Sequence, residues 1–156
     1  MPVFQKGTFS INLGFAQIGG EFDALDRQCA WEFYTELITR VSVRGKLDAH
    51  GQQTLEGEVW LESFDSLYAF FTECRAIARR YPVGKIKPKQ SNLAFSMVKL
   101  LEVVIRPFLE KWQASYRFWW DAQSDAKQAP FKRQQAFPHA KDLLVDWKNL
   151  RQFCRQ

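Results

Sequence analysis

The feature that most constrains this chain is the stretch from Ser91 to Gln123, in which apolar side chains recur every three or four residues. That spacing places them on one face of an α-helix. The central row is Met97, Leu101, Val104, Phe108 and Trp112, and the residues that widen it are Leu93, Leu100, Ile105, Leu109 and Trp119. Because a single facing helix covers only a narrow seam, a face this broad predicts a bundle.

Pro107 lies inside this helix. Its ring removes one backbone donor and crowds the carbonyl of Val103, so the helix either kinks or breaks there. The apolar row continues past Pro107 without a change of phase, which favours one helix kinked at Pro107 over two separate helices. A kink frees backbone carbonyls near Val103, and Arg106 or Lys111 is long enough to reach them.

Two further helices are predicted before the long one. The first runs from Leu25 to Arg44, and its apolar row is Ala30, Phe33, Tyr34, Leu37, Ile38 and Val41. The second runs from Val59 to Tyr81, and its row is Leu67, Phe70, Phe71, Cys74, Ile77, Ala78 and Tyr81. Between them, the polar stretch from Lys46 to Gly57 indicates a loop that contains His50.

The two ends complete the predicted fold. Every second residue is apolar at Phe9, Ile11, Leu13 and Phe15, which predicts a short strand. The alternative is an extended arm over residues 1–22 that ends at Gly19 and Gly20. Only the region from Leu55 to Leu61 offers a similar pattern that could pair with the strand. A basic loop from Ser124 to Phe137 precedes a last helix that Pro138 opens, with the apolar row Leu143, Leu144, Trp147, Leu150 and Cys154. We therefore expect a mainly α fold, a four-helix bundle in one domain spanning residues 1–156.

The positions of the cysteines and the lengths of the apolar runs indicate the cellular compartment of the protein. The three cysteines are far apart and each lies on or beside an apolar row, which predicts buried free thiols in a reducing cytoplasm. Charged residues interrupt every apolar run before it reaches the length of a membrane span, and the first residues lack the apolar core of a signal peptide. We expect a cytoplasmic protein that does not enter the membrane.

The motifs of common catalytic and cofactor sites are missing from the sequence. His50 and His139 are far apart, and neither has a cysteine or carboxylate at a ligand spacing. No Gly-x-Ser-x-Gly turn, Walker loop or dinucleotide loop is present. We therefore expect neither a metal, nor a cofactor, nor an enzymatic activity.

Glu36 and Arg40 are spaced four apart with the acid first, the favourable order for an ion pair on a helix. The pair is either a surface contact or a structural pair at a helix seam, facing Arg75 or Arg106, that sets the register of the bundle. The large aromatic residues at the end of the long helix also have two interpretations: Tyr116, Phe118, Trp119 and Trp120. Either another segment covers them or they form an exposed patch for a partner.

Three segments resemble a loose group of small, uncharacterised bacterial helical proteins: AWEFYTELITRV (Ala30 to Val41), SLYAFFTECRAI (Ser66 to Ile77) and IRPFLEKWQ (Ile105 to Gln113). The group has a W-E-x-Y-x-E-L-x-T-R element followed by R-P-F-L-x-K-W, and its members lie near conflict or phage-defence genes. Gln113 stands where the group has a histidine. The resemblance implies a non-enzymatic accessory or adaptor protein, with Glu36, Arg40, Arg106, Lys111 and Trp112 as the polar and aromatic markers of the motif.

Two functions follow as hypotheses. In the first, the chain docks on a protein encoded nearby, as an oligomer or complex subunit of an antiviral defence assembly, through Arg106, Lys111, Trp112, Tyr116, Trp119 and Trp120. The alternative is a small helical subunit of an RNA-guided or other nucleoprotein complex that binds a nucleic-acid backbone. Its candidate residues come from two basic runs: Arg75, Arg79, Arg80, Lys85, Lys87 and Lys89, which have no acid among them, and Lys132 with Arg133.

Overall fold

The helices of the computed structural model follow the predicted apolar rows closely. The structure describes residues 8–12, 17–21, 24–81, 93–123 and 127–155. Its helices are α1 (Ala24–Thr39), α2 (Val41–Arg44), α3 (Trp60–Arg80), α4 (Leu93–Leu100), α5 (Arg106–Ala122), α6 (Pro130–Gln134) and α7 (Ala140–Arg155). The mainly α prediction is confirmed.

Two short antiparallel hairpins accompany the helices. Strand β1 (Thr8–Asn12) pairs with β2 (Gln17–Glu21), so the predicted strand forms but its partner is the segment that contains Gly19 and Gly20. The region from Leu55 to Leu61 is not the partner, because α3 begins at Trp60. Strands β3 (Lys46–Leu47) and β4 (Gln53–Thr54) form a second hairpin inside the predicted loop. The rest of the alternating pattern, Leu13 and Phe15, lies outside the described residues.

The first predicted helix is two helices that meet at Arg40. The Arg40 carbonyl accepts hydrogen bonds from the N–H groups of Val43 and Arg44, both at 3.1 Å, and so begins α2 as a new helix. Gly45 then takes a φ of +68°, which ends α2 and turns the chain into β3. The predicted start and end of the region are therefore close to correct, but its continuity is not.

The long helix has no non-helical linker at Pro107. Between α4 and α5 the backbone forms a π-helical turn, Leu101–Ile105, after which the N–H of Arg106 donates to the carbonyl of Leu101, five residues back. A π turn holds an extra residue and is wider than an α turn. It lies directly before Pro107, where the proline ring crowds the preceding turn. The two-helix alternative is not observed, and the bend at Pro107 stays a prediction.

Helix α3 packs against α1, against α2 and against both parts of the long helix, α4 and α5. Four residues of its predicted row are buried, Leu67, Phe70, Cys74 and Ile77, and Phe64, which was not predicted, extends the row. The other predicted residues, Phe71, Ala78 and Tyr81, are only partly buried. The ring of Phe64 lies 4.8 Å from the ring of Trp147 in α7 and 5.9 Å from that of Phe108 in α5, measured between centroids. An aromatic core therefore joins α3, α5 and α7.

Helix α6 occupies part of the predicted loop. Pro130 is its first residue, a position where the missing N–H costs no hydrogen bond, so this proline begins a helix and does not break one. The side chain of Gln134 is buried against the start of α3, where its oxygen accepts the N–H of Trp60 at 3.0 Å. This contact fixes α6 to α3. The last helix begins at Ala140 and not at Pro138.

Candidate functional site

The aromatic end of α5 is mainly part of the core. Trp112 and Tyr116, both predicted to contact a partner, are buried. Tyr116 packs on Phe64 and Phe137, with ring centroids 5.5 and 5.1 Å apart. Both side chains pack in the core, and their role in binding a partner stays a prediction.

Trp119 and Trp120 are half-buried. Trp119 packs on Phe137, which lies between α6 and α7, and the guanidinium of Arg133 lies 3.9 Å from the ring centroid of Trp120. The C-terminal segments thus cover this end of α5, as one of the two predicted interpretations has it. The exposed aromatic here is Phe118, whose side chain is 79% accessible.

Arg106 and Lys111 lie on the exposed side of α5, and both bind carboxylates. Arg106 pairs with Glu110 at 2.7 Å, and Lys111 pairs with Asp146 of α7 at 2.7 Å. The expectation that these cations satisfy backbone carbonyls near Val103 is therefore not met. The Arg106 pair lies along α5, and the Lys111 pair joins α5 to α7. Both cations are therefore less available to a partner.

Asp146 is a residue that the sequence did not single out. Its Oδ2 atom accepts hydrogen bonds from Lys111 Nζ and from the indole N–H of Trp112, the latter at 2.9 Å. The hydrogen bond from Lys111, followed by that from Trp112, lowers the pKa of the Asp146 carboxyl, and partial burial opposes them. The aspartate thus ties α7 to α5.

Glu36 and Arg40 form their ion pair, with Glu36 Oε2 2.6 Å from the Arg40 guanidinium. Both side chains are about three-quarters buried. The cations proposed to face this pair lie elsewhere, because Arg75 sits over the ring of Phe71 and Arg106 binds Glu110. The pair is therefore a local contact between Glu36 of α1 and Arg40, the residue that directly follows α1.

A buried ion pair does join α7 to the segment before α3, but between residues that the sequence did not indicate. Arg151 of α7 binds both carboxylate oxygens of Glu58, at 3.1 and 2.5 Å. Its Nε donates to the carbonyl of Ser42 at 3.1 Å, which also accepts the indole N–H of Trp147. Arg151 and Glu58 are almost wholly inaccessible to solvent, so the pair is internal to the fold.

A polar groove of about 550 Å³ opens over this buried pair. Hydroxyl and charged side chains line it: Thr39, Arg40, Ser42, Lys46, Glu58, Glu62, Ser63 and Ser66. The carboxylate nearest Ser63 is that of Glu58, which Arg151 already neutralises. No histidine is among the described residues that line the groove.

The two basic runs do not come together. Arg75, Arg79 and Arg80 lie on the last turns of α3, whereas the α6 cations Lys132 and Arg133 lie near its first residue, since Gln134 binds Trp60. Helix α3 has 21 residues, so its ends are about 30 Å apart. Two of these cations are also occupied, because Arg80 pairs with Glu32 and Arg133 stacks on Trp120. Lys85, Lys87 and Lys89 lie outside the described residues.

Cys74 and Cys154 are free thiols in the structure. Cys29 and Cys74 are buried and Cys154 is partly so. Burial raises the pKa of the Cys154 thiol to about 12 and also raises that of Cys74. Since the thiolate is the reactive form, both thiols are unreactive in the folded protein at neutral pH.

Metal binding and membrane crossing find no support within the described ranges. No group of three histidine, cysteine, aspartate or glutamate side chains is arranged there for a metal ion. In the same ranges no helix combines the length and the apolarity needed to cross a bilayer.

Helix α1 carries four exposed large apolar side chains: Leu25, Trp31, Tyr34 and Ile38. Its predicted single row divides into two, because Phe33 is buried and Leu37 partly so, whereas Tyr34 and Ile38 are exposed. Trp31, which is 64% accessible, lies beside Tyr34 with ring centroids 6.1 Å apart. We call the side of α1 that carries Arg27, Gln28, Trp31, Tyr34, Thr35 and Ile38 the outer face. It is one candidate interaction surface among the described residues, and Phe95, Val98 and Val103 of the long helix are exposed as well.

Comparison of the chain with protein-family models, with curated proteins and with solved structures finds no match. A functional assignment therefore depends on the surfaces of the chain itself.

Proposed function

We propose that this chain is a non-enzymatic protein-interaction module, an accessory or adaptor subunit whose docking surface is the outer face of α1. The supporting observation is that α1 is apolar on two opposite sides, while the described helices α3 and α4 pack on only one of them. The scaffold in this proposal is a four-helix bundle whose third helix bends at Pro107. The resemblance of three segments to proteins found near phage-defence genes favours a bacterial defence assembly with a partner encoded nearby.

The residue types of the outer face suit a binding site. Tryptophan and tyrosine are over-represented among the residues that dominate binding energy at protein interfaces. Trp31 and Tyr34 present large rings with few rotatable bonds, so holding them in place costs little conformational entropy. Trp31 lies beside Tyr34 of the same face and is 64% accessible, which leaves most of its ring open to another molecule.

The inner side of α1 holds this surface in place. Cys29 and Phe33 are buried against the core. Glu32 accepts a 2.5 Å hydrogen bond from the Tyr81 hydroxyl and pairs with Arg80 at 2.9 Å, which fastens α1 to the end of α3. These contacts fix the inner side of α1 to the rest of the fold. The side chains of its outer face are therefore ordered before a partner binds, and binding costs less conformational entropy.

The test is to measure the mass of the complex by light scattering, for the chain alone and mixed with the purified products of neighbouring genes. We expect a complex of defined stoichiometry that Trp31→Ser abolishes. Phe118→Ser is the matched control, because Phe118 is an equally exposed aromatic residue on another helix, and it should leave the complex intact.

Two outcomes would contradict the proposal. One is a wild-type chain that stays monomeric alone and with every neighbouring product. The other is a complex that forms equally well with Trp31→Ser, since the docking surface would then lie elsewhere.

A further inference from the structure

We propose that one row of side chains on α3 binds single-stranded nucleic acid. The row consists of Tyr68, Phe71, Arg75 and Arg79, which are spaced three or four residues apart and therefore lie on one side of the helix. We call it the α3 row. Its two rings stack on bases and its two arginines bind phosphates. The site goes beyond the proposed function, because it lies on a different helix from the outer face of α1 and takes a different ligand.

The two rings of the α3 row form a stacking surface. The side chain of Tyr68 is 54% accessible, and that of Phe71 is partly buried. Their ring centroids are 6.5 Å apart and the ring planes differ by 21°, so the rings are nearly parallel. Consecutive bases of a single strand are also nearly parallel, and proteins that bind such strands stack them on aromatic side chains. The rings therefore match a strand of bases better than the irregularly placed side chains of an acidic peptide.

The two arginines continue the row beyond the rings. Among the residues that the structure describes, no carboxylate lies within ion-pair distance of Arg75 or Arg79, whereas Arg80 and Arg106 each have one. The guanidinium of Arg75 lies 5.7 Å from the ring centroid of Phe71, which places a positive charge beside the stacking surface. Arg75 and Arg79 are one helical turn, about 6 Å, apart along α3. Two unpaired cations at this spacing can bind successive phosphates of one strand.

A groove of about 360 Å³ between α3 and α5 borders the rings. Tyr68 and Phe71 line one side of it, and Gln113 of α5 lines the other. The amide of Gln113 carries a donor and an acceptor, the groups that pair with the edges of bases. The carboxylate in the lining, that of Glu110, is paired with Arg106 at 2.7 Å. The groove thus offers a base both an aromatic surface and a hydrogen-bonding partner, next to cations for the phosphates.

The site is tested by fluorescence anisotropy of the full chain with two labelled strands of equal length: oligothymidylate, and an abasic strand that carries the same phosphates without bases. We expect oligothymidylate to bind at least about 5-fold more tightly, because stacked bases add to the affinity. Tyr68→Ser should remove most of this difference and Tyr68→Phe should retain it, since stacking needs the ring and not the hydroxyl. Arg75→Gln with Arg79→Gln should weaken both strands and make the log–log salt slope shallower by about 0.7 per phosphate contact.

Two exposed aromatic residues outside the α3 row provide the controls. Phe118→Ser and Trp31→Ser should bind both strands as the wild type does, and Tyr68→Ser should leave a complex with a neighbouring gene product intact, so that this site and the proposed function fail separately. Equal affinity of the wild type for the two strands would overturn the proposal, as would unchanged binding by Tyr68→Ser. An oligoglutamate peptide that binds as tightly as oligothymidylate, with the same dependence on Tyr68, would overturn nucleic acid as the ligand.

Discussion

The guanidinium of Arg151 is fully buried, and all three of its nitrogen atoms donate hydrogen bonds. Its acceptors are the Glu58 carboxylate and the Ser42 carbonyl, so one side chain joins α7 to the segment before α3 and to α2. A buried ion pair adds little net stability over apolar residues of the same shape. Removal of one partner is costly, however, because it leaves the other charge buried and uncompensated.

Arg151→Met should therefore lower the free energy of unfolding by about 3–5 kcal/mol, as measured by urea denaturation. The double variant Glu58→Gln with Arg151→Met should lose at least about 1 kcal/mol less than the sum of the single variants, because the two residues act as a pair. Arg155→Met is the control, since Arg155 binds backbone carbonyls near the surface. Additive losses, or equal losses for the Arg151 and Arg155 variants, would contradict the interpretation.

Asp146 should contribute stability that depends on pH. Because its pKa is lowered in the folded protein, the contribution is fully present above the usual aspartate pKa of about 3.9 and is lost as pH falls through the folded value. Since Lys111 is more than half exposed, solvent screening limits the effect to about 1 kcal/mol or less. Asp146→Asn should thus reduce stability at pH 7 but not near pH 2, as followed by thermal unfolding across pH. A loss of the same size at both values would show that the charge is not responsible.

At the scale of elements, the end of α2 depends on a glycine for two separate reasons. Gly45 has a φ of +68°, and a Cβ atom built there would lie 2.8 Å from Cδ of Arg151. Gly51, in the turn of the second hairpin, has a similar φ of +74° but no neighbouring atom within 4 Å. A substitution at Gly51 therefore tests backbone strain alone, whereas a substitution at Gly45 tests backbone strain together with the close approach of Arg151 in α7.

Gly51→Ala should cost about 1–2 kcal/mol, the strain of placing an L-residue in the left-handed region. Gly45→Ala should cost at least about 1 kcal/mol more, because Arg151 must also move away from Glu58. Urea denaturation of both variants measures the difference. Equal losses would mean that the Arg151 side chain gives way freely and that the contact is not tight.

At the scale of the whole molecule, the described cations of the two basic runs are not gathered on one surface. The net charge is +5, but the described cations of the two basic runs lie at opposite ends of α3. A straight stretch of nucleic-acid backbone that contacts the described cations of one run therefore does not reach those of the other run. This separation argues against a shared nucleic-acid surface.

Binding to a short DNA duplex, measured by fluorescence anisotropy at several salt concentrations, should accordingly be weak and use few contacts. We expect a log–log salt slope no steeper than about −4, at about −0.9 per phosphate contact. Arg75→Gln with Arg79→Gln should make the slope shallower, whereas Lys132→Gln should not change it. A slope steeper than about −7 that responds to both sets would revive the nucleic-acid hypothesis.

Local patterns predicted most of the helices and their buried rows. The rows of α3 and of the long helix, among them Leu67, Cys74, Leu101 and Phe108, are buried as their spacing indicates. Apolar periodicity depends only on residues that are close in the sequence, so it can be recognised without the tertiary structure. It failed on α1, where apolar residues lie on two sides and periodicity does not say which side α3 and α4 cover.

The sequence by itself determined where the longer helices form and which motifs of catalysis are missing, but not the short helix α6, the division at Arg40 or the start of the last helix. Tertiary structure decided which polar residues are internal and which apolar residues remain outside. Arg151 reads as an ordinary cation near the end of a helix, and only the fold brings it to Glu58, 93 residues away. Trp31 and Trp112 are the same residue type on two amphipathic helices, yet one is exposed and the other buried. Burial depends on what packs against a side chain, and those neighbours come from distant parts of the chain.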